Sequence, residues 1–160
     1  MTRNRPVQKR FYLPLLLSAA LWLAGCGADY GQDQNGQAVT AAQLKGQWLV
    51  LNYWADWCGP CRTEVPQLNA LAEQLKGQPV QVLGVNFDNL KGDELRQAIA
   101  SLGIRYRVLV DDPAPRFDLP NNEGLPVTYL IDTQGKVRAQ LLGEQTAQGI
   151  KAKLAQLGQP

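Results

Sequence analysis

An almost unbroken apolar run, Trp48-Leu49-Val50-Leu51-Asn52-Tyr53-Trp54-Ala55, stands two residues short of Cys58-Gly59-Pro60-Cys61. A run of this length without polar alternation predicts a strand buried on both faces, as inside a parallel sheet. Parallel neighbours need helical crossovers, and the chain supplies them. Residues 59–76 set Cys61, Val65, Leu68, Leu71, Ala72 and Leu75 at helical spacing up to Gly77, with Pro66 inside as an expected kink. Residues 80–87 read as a second strand. Leu95, Ala98, Ile99 and Leu102 mark a second helix closed by Gly103, and residues 106–110 a third strand. Residues 111–124 carry three prolines and no period, which predicts a loop with one short turn. Residues 127–132 and 136–142 flank the turn Asp132-Thr133-Gln134-Gly135, a hairpin signal. Ile150, Leu154 and Leu157 give a last helix with Thr146 as its N-cap. The expected fold is α/β: a mixed sheet with helices on both faces.

Composition removes whole classes of chemistry. The 160 residues include no histidine, which excludes Ser-His-Asp and Cys-His catalysis, imidazole-bound metal and covalent CxxCH haem. The formal charge of +2 belongs to the N-terminus, where Arg3, Arg5, Lys9 and Arg10 meet no acid within the first 25 residues. The rest of the chain is slightly acidic, so no nucleic-acid partner is expected.

The first residues read as an address. MTRNRPVQKR is followed by the apolar run FYLPLLLSAALWLA and then Gly25-Cys26. That is the layout of a secretory signal, and the run is shorter than the roughly 20 residues of a transmembrane helix. Leu23-Ala24-Gly25-Cys26 resembles the bacterial lipobox, which implies cleavage before Cys26 and a lipid on its sulfur. The alternative is an uncleaved signal anchor. Either places the domain outside the cytoplasm, in an oxidising or kinetically controlled redox compartment. Gly27 follows the cysteine, so the acidic residue of the enteric inner-membrane retention signal is absent and the choice of membrane stays open. The boundaries expected are a signal peptide over 1–25, a flexible tether over 26–39, with an ordered strand in its last few residues as the alternative, and a folded domain over 40–160.

Cys58 and Cys61 carry the chemistry. Two cysteines three apart at a helix start can close a small disulfide ring, and a helix N-terminus lowers a thiol pKa from about 8.5. Cys58, at the exposed start, is the expected nucleophile, and Cys61, one turn in, the resolving thiol. Pro60 suits the first helical turn, where no amide donor is needed. CxxC also occurs in zinc knuckles and structural disulfides. With Cys26 lipidated, no further thiol or imidazole remains to complete a metal site, so none is expected, and so short a loop would add little as a structural staple.

Tyr53-Trp54-Ala55-Asp56-Trp57-Cys58-Gly59-Pro60-Cys61 resembles the thioredoxin active-site segment. Pro66 matches that family's helix proline, and Gly124-Leu125-Pro126-Val127-Thr128 its cis-proline segment. Asn52, Cys61-Arg62-Thr63-Glu64-Val65-Pro66 and Leu130-Ile131-Asp132 are similar to the extracytoplasmic TlpA/ResA-like thiol-disulfide oxidoreductases. The resemblance covers residues 38–157 and implies a thioredoxin-like fold. It also implies a cis bond before Pro126, substrate pairing at Leu125, and dithiol exchange without a cofactor. Reduction of protein disulfides outside the cytoplasm follows, with electrons from a membrane donor of the CcdA/DsbD type and apocytochrome c among the substrates. Oxidase or isomerase action, or a redox-inert binding module on the same platform, are the alternatives.

Three positions qualify this reading. Thioredoxins bury an aspartate where this chain has Asn52, which cannot titrate. Glu64, on the same helical face as Cys61, is either the substitute proton carrier or a solvated charge near Arg62 or Lys76. Trp57 is expected to shape the substrate platform beside Cys58, and Asp56 to be a surface charge.

Overall fold

The computed structural model describes residues 1–2, 30–120 and 124–158. The apolar part of the signal segment and Cys26 lie outside the described residues. Among the described residues no helix is long and apolar enough to cross a membrane.

The elements follow in the order α1 (Ala41–Leu44), β1 (Trp48–Trp54), α2 (Gly59–Gln74), β2 (Val80–Asn86), α3 (Gly92–Leu102), β3 (Arg107–Leu109), α4 (Ala114–Phe117), β4 (Val127–Ile131), β5 (Val137–Leu142) and α5 (Ala147–Gln156). The five strands form one sheet in the order β3-β2-β1-β4-β5. β1 lies parallel to β2 and antiparallel to β4, with Trp54 opposite Asn86 and Tyr53 opposite Val127. Every residue of β1 is buried, as its unbroken apolar run requires. Two expected terminators are in place: Gly103 closes α3 in the left-handed conformation, and Thr146 caps α5 by accepting from the Gly149 amide at 3.0 Å.

The sheet is covered unequally. Val50, Trp54, Val82 and Leu130 pack with α2, α3 and α5 through Leu68, Leu71, Leu95 and Ile150. The opposite face, with Leu51, Tyr53, Val85 and Tyr129, packs with the single-turn helices α1 and α4 through Leu44 and Phe117, and with Tyr30 and Val39 from the N-terminal segment. Between β1 and β3, Gly84 leaves space that two rings take. A Cβ there would come within 2.9 Å of Tyr106 Cε2 and 3.0 Å of Trp54 Nε1.

Residues 30–39 fall in the stretch expected to be a flexible tether, with a strand as the alternative for its last few residues, and they form a small antiparallel turn against the free edge of β3. The Gln34 amide donates to Val108 O at 3.0 Å, and the Val110 amide to Gln32 O at 2.9 Å. Asp33, 3% exposed, accepts from the amides of Asn35 and Gln37 and from Arg107 Nε at 2.9 Å. Burial alone would raise the Asp33 pKa, but these donors together hold it below the ordinary value. The segment thus supplies partners to an edge strand that would otherwise expose its backbone. Asp33→Ala leaves Arg107 without a carboxylate, with only the Ala38 carbonyl remaining to its guanidinium among the described residues. It should lower stability by about 2–3 kcal/mol in chemical denaturation and speed hydrogen exchange at the Val108 and Val110 amides.

Candidate active site

β1 ends at Trp54 and α2 begins at Gly59, so the intervening turn places Cys58 at the N-cap of α2. Its Sγ accepts from the Cys61 amide at 3.2 Å, and Pro60 occupies the first turn, where its missing N–H is not needed. Cys58 and Cys61 form a disulfide with their Cα atoms 5.3 Å apart. The expectation that Cys58 is exposed does not hold in this oxidised state. Cys58 is 4% exposed and Cys61 1%, because the Cys58 sulfur is turned back over the helix end and bonded to Cys61.

The strand register brings the proline segment to the same end of the sheet. Val127 opens β4 opposite Tyr53, so Leu125 and Pro126 stand beside the β1–α2 turn. The Leu125–Pro126 peptide bond is cis. Pro126 O accepts from the Gly143 amide at 2.9 Å, which joins this segment to the end of β5. Gly124, Leu125, Pro126, Leu142 and Gly143 line an open groove of about 260 Å³. Leu125 also packs against the buried cluster that contains both cysteines.

Trp57 is 65% exposed, yet it is held in place: its Nε1 donates to Asp88 at 2.8 Å and its ring meets Phe87 edge-to-face at 6.5 Å. Phe87 and Leu142 are exposed as well, so apolar surface flanks the turn. Asp56 is exposed, and its carbonyl rather than its carboxylate is engaged, by Arg62 Nη2 at 3.1 Å. Trp54 is wholly buried in the core.

Glu64 is not a solvated charge. It is 1% exposed, while Arg62 is tied to the carbonyls of Ser101 and Asp56, and Lys76 pairs with Glu73. Glu64 Oε2 accepts from Asn52 Nδ2 at 2.9 Å, and Oε1 from the Gln145 amide at 3.0 Å. Asn52, 0% exposed, uses the rest of its amide on Thr128 Oγ1 at 3.1 Å and on the Tyr106 hydroxyl, which donates to Oδ1 at 3.2 Å. Burial is the main influence on the Glu64 carboxyl and pushes its pKa up. The two N–H donors pull it down, Glu144 nearby adds to the rise, and the result is about 7. A buried carboxyl poised there can take and return a proton at neutral pH. Among the described residues no group of acids and thiols is arranged to hold a metal ion.

The sequence pointed to Cys58, Cys61, Trp57, Leu125, Pro126 and Glu64, and all six lie at or beside this end of the sheet. It missed Tyr106, Thr128 and the Gln145 amide, which complete the surroundings of Glu64 and Asn52, and Asp88 and Phe87, which hold Trp57. One signal was present for the buried pair: a lone asparagine within an eight-residue apolar run requires polar partners.

A model of the AhpC/TSA family matches residues 28–140. The chain belongs to the AhpC/TSA family. Within it, the thiol-disulfide oxidoreductase ResA of Bacillus thuringiensis (strain Al Hakam) is 29% identical over 125 residues, covering 78% of this chain and 72% of that one. ResA of Geobacillus kaustophilus (strain HTA426) is 30% identical over 122 residues, with coverages of 76% and 70%. Among solved structures, a DsbF homologue from Corynebacterium diphtheriae superposes with a TM-score of 0.67 at 28% identity, covering 79% of this chain and 82% of that one. With the Cys58–Cys61 disulfide, these likenesses make the chain a thiol-disulfide oxidoreductase of the thioredoxin-like, ResA-like kind.

The raised Glu64 pKa has a direct thermodynamic consequence. Between the ordinary glutamate value of 4.5 and about 7, the folded protein binds more protons than the unfolded chain. This group's contribution therefore lowers stability as pH rises through that window, by about 3 kcal/mol in total, and leaves it level above. Glu64→Gln should remove that slope. Urea denaturation of both oxidised proteins at pH 4.5, 6 and 8 measures it.

Proposed function

We propose that this chain is a membrane-tethered reductase of disulfides in extracytoplasmic proteins, with Cys58 as nucleophile and Cys61 as resolving thiol. The observation that carries this reading is Cys58 at the N-cap of α2, its sulfur accepting the Cys61 amide. A sulfur in that place gains most from carrying charge, because the helix end presents N–H donors and positive potential.

In the reduced enzyme the Cys58 thiolate attacks one sulfur of a substrate disulfide. That S–S bond breaks, one substrate sulfur leaves as a thiolate and takes up a proton, and a Cys58–substrate mixed disulfide forms. Cys61 then gives its proton to Glu64 and attacks Cys58 Sγ. The second substrate thiolate leaves and receives the proton that Glu64 holds, and the Cys58–Cys61 disulfide remains. Two electrons have passed to the substrate, and no cofactor enters. Leu125 offers its backbone to an extended substrate segment, while Pro126, Trp57 and the groove beside Leu142 receive its side chains.

The lipobox resemblance supports a lipid on Cys26 and removal of residues 1–25. A reductase outside the cytoplasm must be recharged, and a membrane dithiol donor of the CcdA/DsbD type suits that need. The resemblance to ResA offers oxidised apocytochrome c as substrate class, which a peptide carrying a CxxCH disulfide represents.

Cys61→Ser should accumulate a mixed disulfide with such a peptide, and Cys58→Ser should neither react nor trap. Adducts recovered only from Cys58→Ser would reverse the roles. Equilibration of the wild-type domain with glutathione should show the dithiol to be the stronger reductant; a more oxidising couple would turn the reading toward an oxidase. Mass spectrometry of the membrane-extracted protein should find diacylglyceryl on Cys26 and no residue before it, and an N-terminus still carrying residues 1–25 would overturn the anchor.

A further inference from the structure

Glu64 is placed by other side chains, and the arrangement has a direction. An amide can offer a carboxylate either a donor or an acceptor, depending on which way it faces. Asn52 stands in the central strand with Glu64 of α2 on one side, Thr128 of β4 on a second and Tyr106, just before β3, on a third. Its two N–H bonds go to Glu64 Oε2 and Thr128 Oγ1, and its oxygen receives the Tyr106 hydroxyl. Turning the amide round would leave the Tyr106 hydroxyl hydrogen without this acceptor and set an oxygen against the carboxylate, a costly arrangement in a site without solvent.

We propose that Asn52, oriented by Tyr106, is the positioning residue that keeps Glu64 able to exist as a carboxylate beside the resolving cysteine. The position that holds a titrating acid in thioredoxins here holds a fixed donor, and the titrating group stands one helix away.

The other groups facing Glu64 do not supply this support. Glu144, on the β5–α5 connection, raises the Glu64 pKa, and the buried Tyr106 phenol is neutral at working pH. The disulfide carries no charge. From α5 and its approach, the second donor is the backbone amide of Gln145, which side-chain replacement leaves in place. Asn52 is thus the one donor side chain on Glu64 among the described residues.

The inference rests on the proton-carrying role proposed for Glu64, but its test does not. In oxidised protein with glutamate labelled at the carboxyl carbon, the NMR shift of Glu64, assigned by its loss in Glu64→Gln, reports the titration without turnover. Asn52→Leu, similar in volume and without a donor, should move the midpoint upward by about one pH unit, the size expected for a lost hydrogen bond to a charged group. Tyr106→Phe should move it the same way by less, and decides the matter if Asn52→Leu does not fold. The rate of mixed-disulfide resolution should shift along the pH axis with the midpoint and recover at higher pH, which a merely loosened core would not do. Unchanged midpoints in the folded variants overturn the positioning role. Shifted midpoints with an unshifted rate profile leave that role standing and instead remove Glu64 from proton transfer.

Discussion

Burial of β1 on both faces is the constraint from which the rest follows. A strand with no solvent face must have neighbours on both sides and layers above and below, and it can meet solvent only at its ends. Its C-terminal end at Trp54 is therefore where the chain can place reactive groups near the surface while anchoring them in the core. The turn to α2 puts Cys58 on the helix end, and the antiparallel pairing of β4 brings Pro126 alongside. β2 ends at the same level and sends Phe87 and Asp88 to hold Trp57. Three segments distant in sequence meet because they end against one strand.

The same burial explains the polar centre around Asn52. Asn52 cannot turn to water, so its amide must be satisfied by neighbours, and each comes from a different element. Gly84 belongs to this arrangement, since a side chain there would displace the Tyr106 ring. Glu64 is retained within an apolar helix face at an energetic cost, and a group kept at such cost with a pKa near neutrality is suited to proton transfer rather than to stability. Its second partner, the Gln145 amide, links it to the connection after Leu142 and Gly143, one wall of the groove beside Pro126. The buried Glu64 carboxyl and the groove beside Pro126 thus share a support.

What could be read from the sequence was what local pattern encodes. A nearly unbroken apolar run gave β1, helical spacing gave α2, α3 and α5, and Gly103 and Thr146 marked their ends where the structure has them. The burial of Glu64 was partly legible, since it falls on the stripe with Cys61, Val65, Leu68 and Leu71, all buried. The order of residues 30–39 was legible only as the alternative of a strand in their last few positions. They are polar and carry no period, and they are held by an edge strand and by Asp33 meeting Arg107 across 74 positions, a pairing no local pattern announces. The thin cover of the second face also escaped notice, because single-turn helices are too short to show a period.

The proposed exchange depends most on the end of α2 making Cys58 the reactive thiol. Alkylation of the reduced protein with iodoacetamide across pH, with each cysteine quantified by peptide mapping, tests it directly. Cys58 should be modified first at every pH below 8, with a midpoint below the ordinary thiol value of about 8.5 and Cys61 following only at higher pH. Modification of Cys61 first, or of both at equal rates with ordinary midpoints, would contradict it.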